Sequence, residues 1–247
     1  MDGTGRRRIY LMRHGHVDYF APGLTDPRGV PLTSVGCEQA ESAAIALQRQ
    51  QFDVAAYSGL PRTLQTAKIV LKAQSNAPEL QEFNGLEEIK SGWLKVDSRE
   101  ELAARLAFCF DNAGEKGAAF LPDGETFEAA AERAIAAIEE LIFTQYWKTA
   151  LVVAHEGINR ILLGWACGGG LNTVAAFEQD LCCINVIDVD VTPADEKNGL
   201  KIERLILKTV NVTPYDYVKD GLPKTSLEHL FDVDFGGSRP RQQQQNV

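Results

Sequence analysis

Two histidines and two arginines of this 247-residue sequence each follow a short apolar segment typical of a buried strand. Arg13 and His14 follow the first segment, Arg62 comes shortly after the second, and His155 directly follows the third. The carboxyl ends of parallel strands share one edge of a sheet, and open α/β proteins bind their ligands there. We therefore expect the four side chains to converge on one pocket, toward which the following helices also turn their positively charged N-termini.

Two arginines and two histidines around one point suit the chemistry of a phosphoryl group. Guanidinium groups match phosphate oxygens in pairs and stay charged at any working pH. One imidazole can attack phosphorus when a hydrogen bond fixes its tautomer, and the other cations can stabilise the oxygens in the transition state. This reaction needs no metal ion, but it needs an acid for the leaving oxygen, a role suited to a carboxyl group with a raised pKa.

The rest of the sequence predicts strands that alternate with helices. The segments typical of strands are residues 9–12, 54–57, 151–154, 183–191 and 200–208, and helical periodicity follows Thr33, follows the second strand, and covers residues 127–142 and 158–165. Ser98 and Glu101 have the spacing of a capping box that would open a further helix. The alternation indicates a mostly parallel sheet covered by helices on both faces. We predict a single domain over residues 1–235 and a disordered tail over residues 236–247.

Composition excludes several classes of function. The 25 basic and 34 acidic residues give a formal net charge of −9, which argues against a surface for nucleic acid or anionic lipid. A small anionic substrate remains compatible, since a few converging cations can oppose the global field. The sequence has no apolar run long enough for a membrane span and no signal-peptide core. Its five cysteines, without metal-type spacing, fit a reduced protein, so we expect a cytoplasmic location.

Six segments carry a resemblance to a known family. In chain order they are Arg13-His14-Gly15; Leu32-Thr33 through Gln39-Ala40; Tyr57-Ser58 through Arg62-Thr63 and Thr66-Ala67; Leu86-Glu87-Glu88-Ile89 through Gly92-Trp93; Gly124-Glu125-Thr126 with Arg133; and Val152-Val153-Ala154-His155-Glu156-Gly157. Together they resemble the signature blocks of the histidine phosphatase superfamily, the phosphoglycerate-mutase-like enzymes. The order of the segments makes the resemblance specific.

The resemblance implies an α/β fold, a three-layer α/β/α sandwich, and a mechanism through phosphohistidine with neither metal nor cofactor. It implies that His14 is the nucleophile, that Arg13, Arg62 and His155 hold the phosphoryl group, and that Glu88 is the proton donor. The expected ligand is a small phosphorylated metabolite, and homo-oligomerisation stays open. The expected activity is that of a histidine acid-type phosphomonoesterase.

Several residues keep alternative interpretations. Glu87 competes with Glu88 as the acid, and Glu82 lies nearby in the sequence. His16 is expected either at the mouth of the pocket or in an exposed loop, and His229 is expected to be an ordinary polar residue. Arg6 and its two arginine neighbours are expected to lie on a solvated edge.

The sequence also departs from the family pattern after the first motif. His16, Val17 and Phe20 stand where many relatives have an acidic residue or Gln, then Thr or Ser, and then Asn. Losing that Asn removes a hydrogen bond to phosphate, and we therefore favour a phosphatase over a glycolytic mutase. A cofactor-dependent phosphoglycerate-type mutase and a non-catalytic phospholigand-binding protein are the alternatives. In this family residues 93–123 would form the lid, whereas residues 210–235 receive no functional interpretation.

Overall fold

A six-stranded sheet forms the centre of this computed structural model, which describes residues 3–92, 101, 108–194, 199–221 and 224–231. The strands are β1 (Gly5–Arg13), β2 (Val54–Tyr57), β3 (Leu80–Glu82), β4 (Thr149–Ala154), β5 (Ile184–Pro193) and β6 (Leu200–Val212). Among the described residues the helices are α1 (Ser34–Leu47), α2 (Pro61–Lys72), α3 (Phe127–Thr144), α4 (Glu156–Ala166) and α5 (Ser226–Phe231).

The strand order is β3-β2-β4-β1-β5-β6, and the first four strands run parallel. Strand β5 is antiparallel to β1, and β6 is antiparallel to β5, so the two late strands form a hairpin at one edge. The register places Arg13 beside Ala154 and Tyr57 beside Val153. The ends of β1, β2 and β4 are therefore level, and the residues that follow them emerge at the same edge.

Both faces of the sheet are covered by helices, as the sequence predicts. Alternate residues of β4 pack into two separate apolar clusters, with Val152 in one and Val153 in the other. The first cluster includes Ile138 of α3 and Ile158 of α4, and the second includes Leu47 of α1 together with residues of α2. Burying an aliphatic side chain of this size stabilises the fold by roughly 1.5–3 kcal/mol. The fold is thus an α/β sandwich around a mostly parallel sheet.

The predicted helix starts and strands are largely confirmed. Thr33 caps α1, because its hydroxyl accepts a hydrogen bond from the Gly36 amide at 3.1 Å. Strand β3 and helix α5 were not predicted, since three and six residues are too short for a recognisable period. The predicted capping box at Ser98 and the predicted tail over residues 236–247 lie outside the described residues. No helix in the described ranges is long and apolar enough to cross a membrane.

The expectation of a solvated edge is wrong for the middle arginine of the N-terminal triplet. Arg7 is only 1% exposed, and its guanidinium donates to the carbonyls of Ile142 and Gln145 and lies 5.2 Å from the Trp147 ring centre. Its side chain points from β1 toward the C-terminus of α3, where carbonyl groups lack partners within the helix. The neighbouring arginines instead form ion pairs with acidic residues of β5.

Candidate functional site

The structure brings together the four side chains that follow the predicted strands. The rings of His14 and His155 lie 5.1 Å apart between centroids, at an interplanar angle of 66°, and both are buried. Burial, together with the positive charges of Arg62 and Arg13, lowers the pKa of His14 well below its usual value. Burial also lowers the pKa of His155, with further contributions from His14 and both arginines. Both imidazoles are thereby kept neutral beside two permanent cations.

A single hydrogen bond defines the tautomer of His14. Its Nδ1 atom lies 2.7 Å from the carbonyl oxygen of Gly15. A carbonyl oxygen only accepts, so the neutral ring carries its proton on Nδ1 and its lone pair on Nε2. Within the described part of the chain Nε2 has no hydrogen-bond partner, and His14 lines the cavity. This is the arrangement that a nucleophilic imidazole requires.

A chain of hydroxyl groups defines the tautomer of His155. The Thr63 hydroxyl donates to the Leu60 carbonyl at 2.8 Å, so the Ser58 hydroxyl must donate to Thr63 Oγ1 at 2.9 Å. The contact of 2.7 Å between Ser58 Oγ and His155 Nε2 then requires the imidazole to donate. His155 Nδ1 is buried and has no partner among the described residues. Ser58, which directly follows β2, is therefore the residue that orients this imidazole.

Arg62 lies in the first turn of α2 and keeps part of its hydrogen-bonding capacity unused. Its Nη1 atom makes two long bonds, of 3.3 and 3.4 Å, to the carbonyls of Pro27 and Arg28. Its Cζ atom lies 5.6 Å from the ring centre of Tyr19, in a cation–π arrangement. Its Nε atom is buried without a partner in the described ranges. This guanidinium is thus positioned by carbonyls and by a ring, and no carboxylate of the described residues forms an ion pair with it.

Arg13, in contrast, is bound tightly by the protein. Its Nη1 atom donates to the Gln179 carbonyl at 2.6 Å and to the Ser226 hydroxyl, and it lies 3.2 Å from Glu156 Oε2. Ser226 in turn donates to Glu156 at 2.7 Å. Burial opposes ionisation of Glu156, but the charges of Arg13 and Arg160 outweigh burial and lower the pKa of this carboxyl. Glu156 is therefore a buried anion that fixes Arg13.

Sequence reasoning gave no role to Glu156 or Ser226. In the sequence, Glu156 could have been recognised as a carboxyl group at the start of a helix whose other residues are almost all buried, because a buried carboxylate needs a charged partner. No local signal existed for Ser226, since its partners lie 70 and 213 positions away in the chain.

The structure distinguishes the two candidate acids. Glu88 accepts hydrogen bonds from the amides of Ile89 at 2.9 Å and Gly157 at 3.2 Å, which places its carboxyl beside the residues that follow His155. Burial raises the pKa of Glu88, and these two hydrogen bonds offset only part of that rise. Glu87 instead forms an ion pair with Arg28 at 2.7 Å. The geometry therefore favours Glu88 over Glu87 as the candidate acid, because Glu87 is bound to a cation.

Arg133 holds the segment that carries Glu88. Its guanidinium binds both oxygens of Glu125, at 2.6 and 2.7 Å, and donates to the carbonyls of Gly85 and Glu87, both at 2.7 Å. A bidentate ion pair of this kind restricts orientation as well as distance. Arg133 therefore fixes the backbone that leads to the acid, and it is not among the residues that line the cavity.

The cavity has two lobes that meet at His14. The larger lobe, of about 620 Å³, contains Arg62 and Glu88, and most of its surface is formed by apolar atoms. The smaller lobe, of about 510 Å³, contains His16, and half of the residues that line it, most of them polar or charged, lie between residues 180 and 226. Arg13, His14, Tyr19 and Phe20 line both lobes.

Three further predictions concern His16, Phe20 and the lid. His16 is half-buried at the smaller lobe, and its Nδ1 lies 2.8 Å from the Thr33 hydroxyl. Phe20, which stands where many relatives have Asn, is 50% exposed and lines both lobes. Of the predicted lid over residues 93–123, positions 93–100 and 102–107 lie outside the described residues, whereas Phe110 and Phe120 line the larger lobe. In the described part of the chain, no group of three or more His, Cys, Asp or Glu residues could hold a metal ion.

The fold and these motifs agree with a family assignment. The chain belongs to the histidine phosphatase superfamily (branch 1), whose sequence profile matches residues 9–195. It is 30% identical over 189 residues to the adenosylcobalamin/alpha-ribazole phosphatase of Escherichia coli K12, which covers 74% of this chain and 90% of that protein. It is 29% identical over 163 residues to the metal-independent phosphoserine phosphatase of Arabidopsis thaliana, covering 62% of this chain and 66% of that protein.

A solved structure shares the fold. The alpha-ribazole phosphatase from Shigella flexneri superimposes with a TM-score of 0.62 and 24% identity, over 83% of this chain and 96% of that one. The phosphoglycerate-mutase-like α/β fold predicted from the sequence is thus confirmed, and the named curated relatives are phosphatases.

Proposed function

We propose that this protein is a metal-independent phosphatase that hydrolyses a small phosphomonoester through a phosphohistidine on His14. The observation that carries the proposal is the state of His14: a buried, neutral imidazole that lines a cavity beside two arginines, with Nδ1 bound to a carbonyl and Nε2 without a partner among the described residues. The family membership and the phosphatase relatives support the same reaction class.

In the first step His14 Nε2 attacks phosphorus, and the bond between phosphorus and the leaving oxygen breaks. Glu88 gives its proton to that oxygen, so the alcohol leaves neutral. The developing positive charge on the imidazole is stabilised by the hydrogen bond from Nδ1 to the Gly15 carbonyl. In the second step water attacks phosphorus, the bond between nitrogen and phosphorus breaks, and the Glu88 carboxylate takes the water proton.

The phosphoryl oxygens would be held during both steps by Arg62, Arg13 and His155. The Nε–H of Arg62 has no partner among the described residues, and neither has Nδ1 of His155, which becomes a donor once the ring is protonated. An anionic phosphoryl group favours that protonation, because it places a negative charge beside the ring. The cations then stabilise the charge that spreads over the equatorial oxygens in the transition state.

Phosphate release tests this proposal directly. The purified protein is assayed in EDTA with p-nitrophenyl phosphate and a panel of sugar and glycolytic phosphomonoesters, beside the variant His14→Ala. We expect full activity in EDTA, an acid-labile phosphoenzyme in the wild type, and loss of both activity and phosphoenzyme in the variant. Thermal unfolding of both proteins checks that the variant is folded.

Three outcomes would contradict the proposal. Activity that survives His14→Ala would exclude the assigned nucleophile, and strict dependence on a divalent ion would exclude the mechanism. Isomerisation of 3-phosphoglycerate with a bisphosphate primer and no net phosphate release would instead identify a mutase. Binding of phosphate without turnover of any ester would identify a phospholigand-binding protein.

A further inference from the structure

The position of the acid determines where the alcohol part of the substrate must lie. Our inference rests on the proposed function, in which the leaving oxygen is opposite His14 Nε2 and within reach of Glu88. Glu88 lines only the larger lobe of the cavity, whereas His14 lines both lobes. The alcohol that is released from phosphorus therefore occupies the larger lobe, which we call the alcohol lobe.

The walls of the alcohol lobe are mainly apolar and partly aromatic. Phe110 and Phe120 meet edge to face, with ring centroids 5.1 Å apart and an interplanar angle of 88°. The other apolar side chains that line the lobe come from five separate segments: Phe20, Pro27, Leu60, Ile89 and Leu227. The apolar part of this surface recognises hydrocarbon or aromatic groups, because contact with such groups removes apolar area from water and breaks no hydrogen bond there.

Four cations of the described residues line the alcohol lobe. Arg13 and Arg62 belong to the phosphate-binding end, Arg28 forms its ion pair with Glu87, and Lys90 is exposed at the rim. Among the described residues, a second anionic group on the alcohol would therefore be desolvated without a dedicated partner in the interior of the lobe, which is unfavourable.

From these walls and charges, we propose that the substrates of this enzyme are phosphate monoesters of alcohols that carry an aromatic or bulky apolar group. Esters whose alcohol bears a carboxylate or a second phosphate are poor substrates for the same reason. This selects one class among small phosphomonoesters, which the phosphate-binding residues alone do not do.

Three esters of primary alcohols test the proposal with leaving groups of similar basicity: 3-phenylpropyl phosphate, n-propyl phosphate and 4-phosphooxybutanoate. We expect kcat/KM to be about 30-fold higher for the phenylpropyl ester than for the propyl ester, as burial of a phenyl ring implies. The carboxylate ester should be the poorest of the three. Equal values, or a preference for the carboxylate ester, would overturn the proposal.

Variants at Phe120 locate the preference in the alcohol lobe. Phe120 is half-buried, and Phe120→Ala should reduce the advantage of the phenylpropyl ester to about fivefold with little effect on the propyl ester. Phe120→Lys should raise kcat/KM for the carboxylate ester relative to the phenylpropyl ester. Phe143→Ala, at an exposed phenylalanine of α3, is the matched control and should leave all three values unchanged. An unchanged preference in both Phe120 variants would overturn the assignment.

Binding of phosphonates separates this proposal from the proposed function. The pair 4-phenylbutylphosphonate and 5-phosphonopentanoate copies two of the esters but cannot be hydrolysed, and calorimetry measures their affinities. Tighter binding of the phenyl compound supports the apolar lobe even when no ester is turned over, and absent turnover then counts only against the phosphatase mechanism. Tighter binding of the carboxylate compound, with turnover intact, contradicts only the substrate class.

Discussion

The phosphate-binding end of the cavity and the alcohol lobe are built in different ways. At the phosphate end, His14, Ser58 and His155 directly follow three adjacent parallel strands, so the register of the sheet fixes their spacing. The walls of the alcohol lobe come from loops and helix termini that are far apart in the sequence. The sheet therefore determines which bond is broken, whereas the surrounding loops determine which molecule is the substrate.

The largest effect is expected at the phosphate end. Arg62→Ala should lower kcat/KM by about 1000-fold for every ester, because a charged donor to the transition state is lost whatever the alcohol is. Initial rates with the propyl and p-nitrophenyl esters measure this. Arg49→Ala, at an exposed arginine beyond the end of α1, is the matched control and should have no effect. A fall of less than tenfold, or one confined to a single ester, would argue against a shared phosphate-binding role.

A smaller effect, which depends on the alcohol, is expected at the boundary between the two regions. Glu88→Gln should lower kcat/KM by about 100-fold for n-propyl phosphate but only a few-fold for p-nitrophenyl phosphate, which needs little protonation of its leaving oxygen. Glu87→Gln, which alters only the pair with Arg28, is the matched control. If the control variant shows the dependence on the leaving group instead, the assignment of the acid is off by one residue.

The pH dependence of kcat/KM tests the roles of His14 and Glu88 further. His14 must be neutral to attack, and its lowered pKa places the acidic limb of kcat/KM below pH 6.5. Glu88 must be protonated to donate, and its raised pKa places the alkaline limb above the ordinary value of 4.5. Activity toward the propyl ester should therefore rise and then fall with increasing pH. In Glu88→Gln the alkaline limb that belongs to this carboxyl should disappear.

The smallest effect is expected from the residue that positions Arg13. Ser226→Ala should lower kcat/KM about fivefold and weaken competitive inhibition by inorganic phosphate, because Arg13 and Glu156 lose a hydroxyl between them. Ser226→Thr, which keeps the hydroxyl, should restore most of the affinity. Ser42→Ala on α1 is the control. Lost stability with unchanged phosphate inhibition would show that the residue is only structural.

The residues of the phosphate-binding end could largely be predicted from the sequence. His14, Arg62 and His155 were found because an apolar run followed by a polar residue is a local pattern, and parallel strands align their ends. The helix caps and most strand boundaries are also local features. The order of the strands in the sheet was not predicted, because pairing between distant strands leaves no mark in either strand alone.

Contacts over long distances in the chain account for what sequence reasoning missed. Arg7 looked like part of a solvated cluster, yet it binds carbonyls at the end of α3, more than 130 positions away. The ion pair of Arg13 with Glu156 and the hydroxyl of Ser226 depend on the same kind of contact. The apolar character of the alcohol lobe likewise emerges only when Leu60, Phe120 and Leu227 are brought together by folding.

The contact between Arg13 and Ser226 also bears on the timing of protein synthesis. A ribosome makes Arg13 early, but the hydroxyl that binds it is added 213 residues later, after β4 and β5 on either side of β1. A nascent chain that stops before residue 226 holds its first motif with the carbonyl of Gln179 and the carboxylate of Glu156 but without the Ser226 hydroxyl. The phosphate-binding end should therefore reach its full affinity for phosphate only when synthesis has passed that residue.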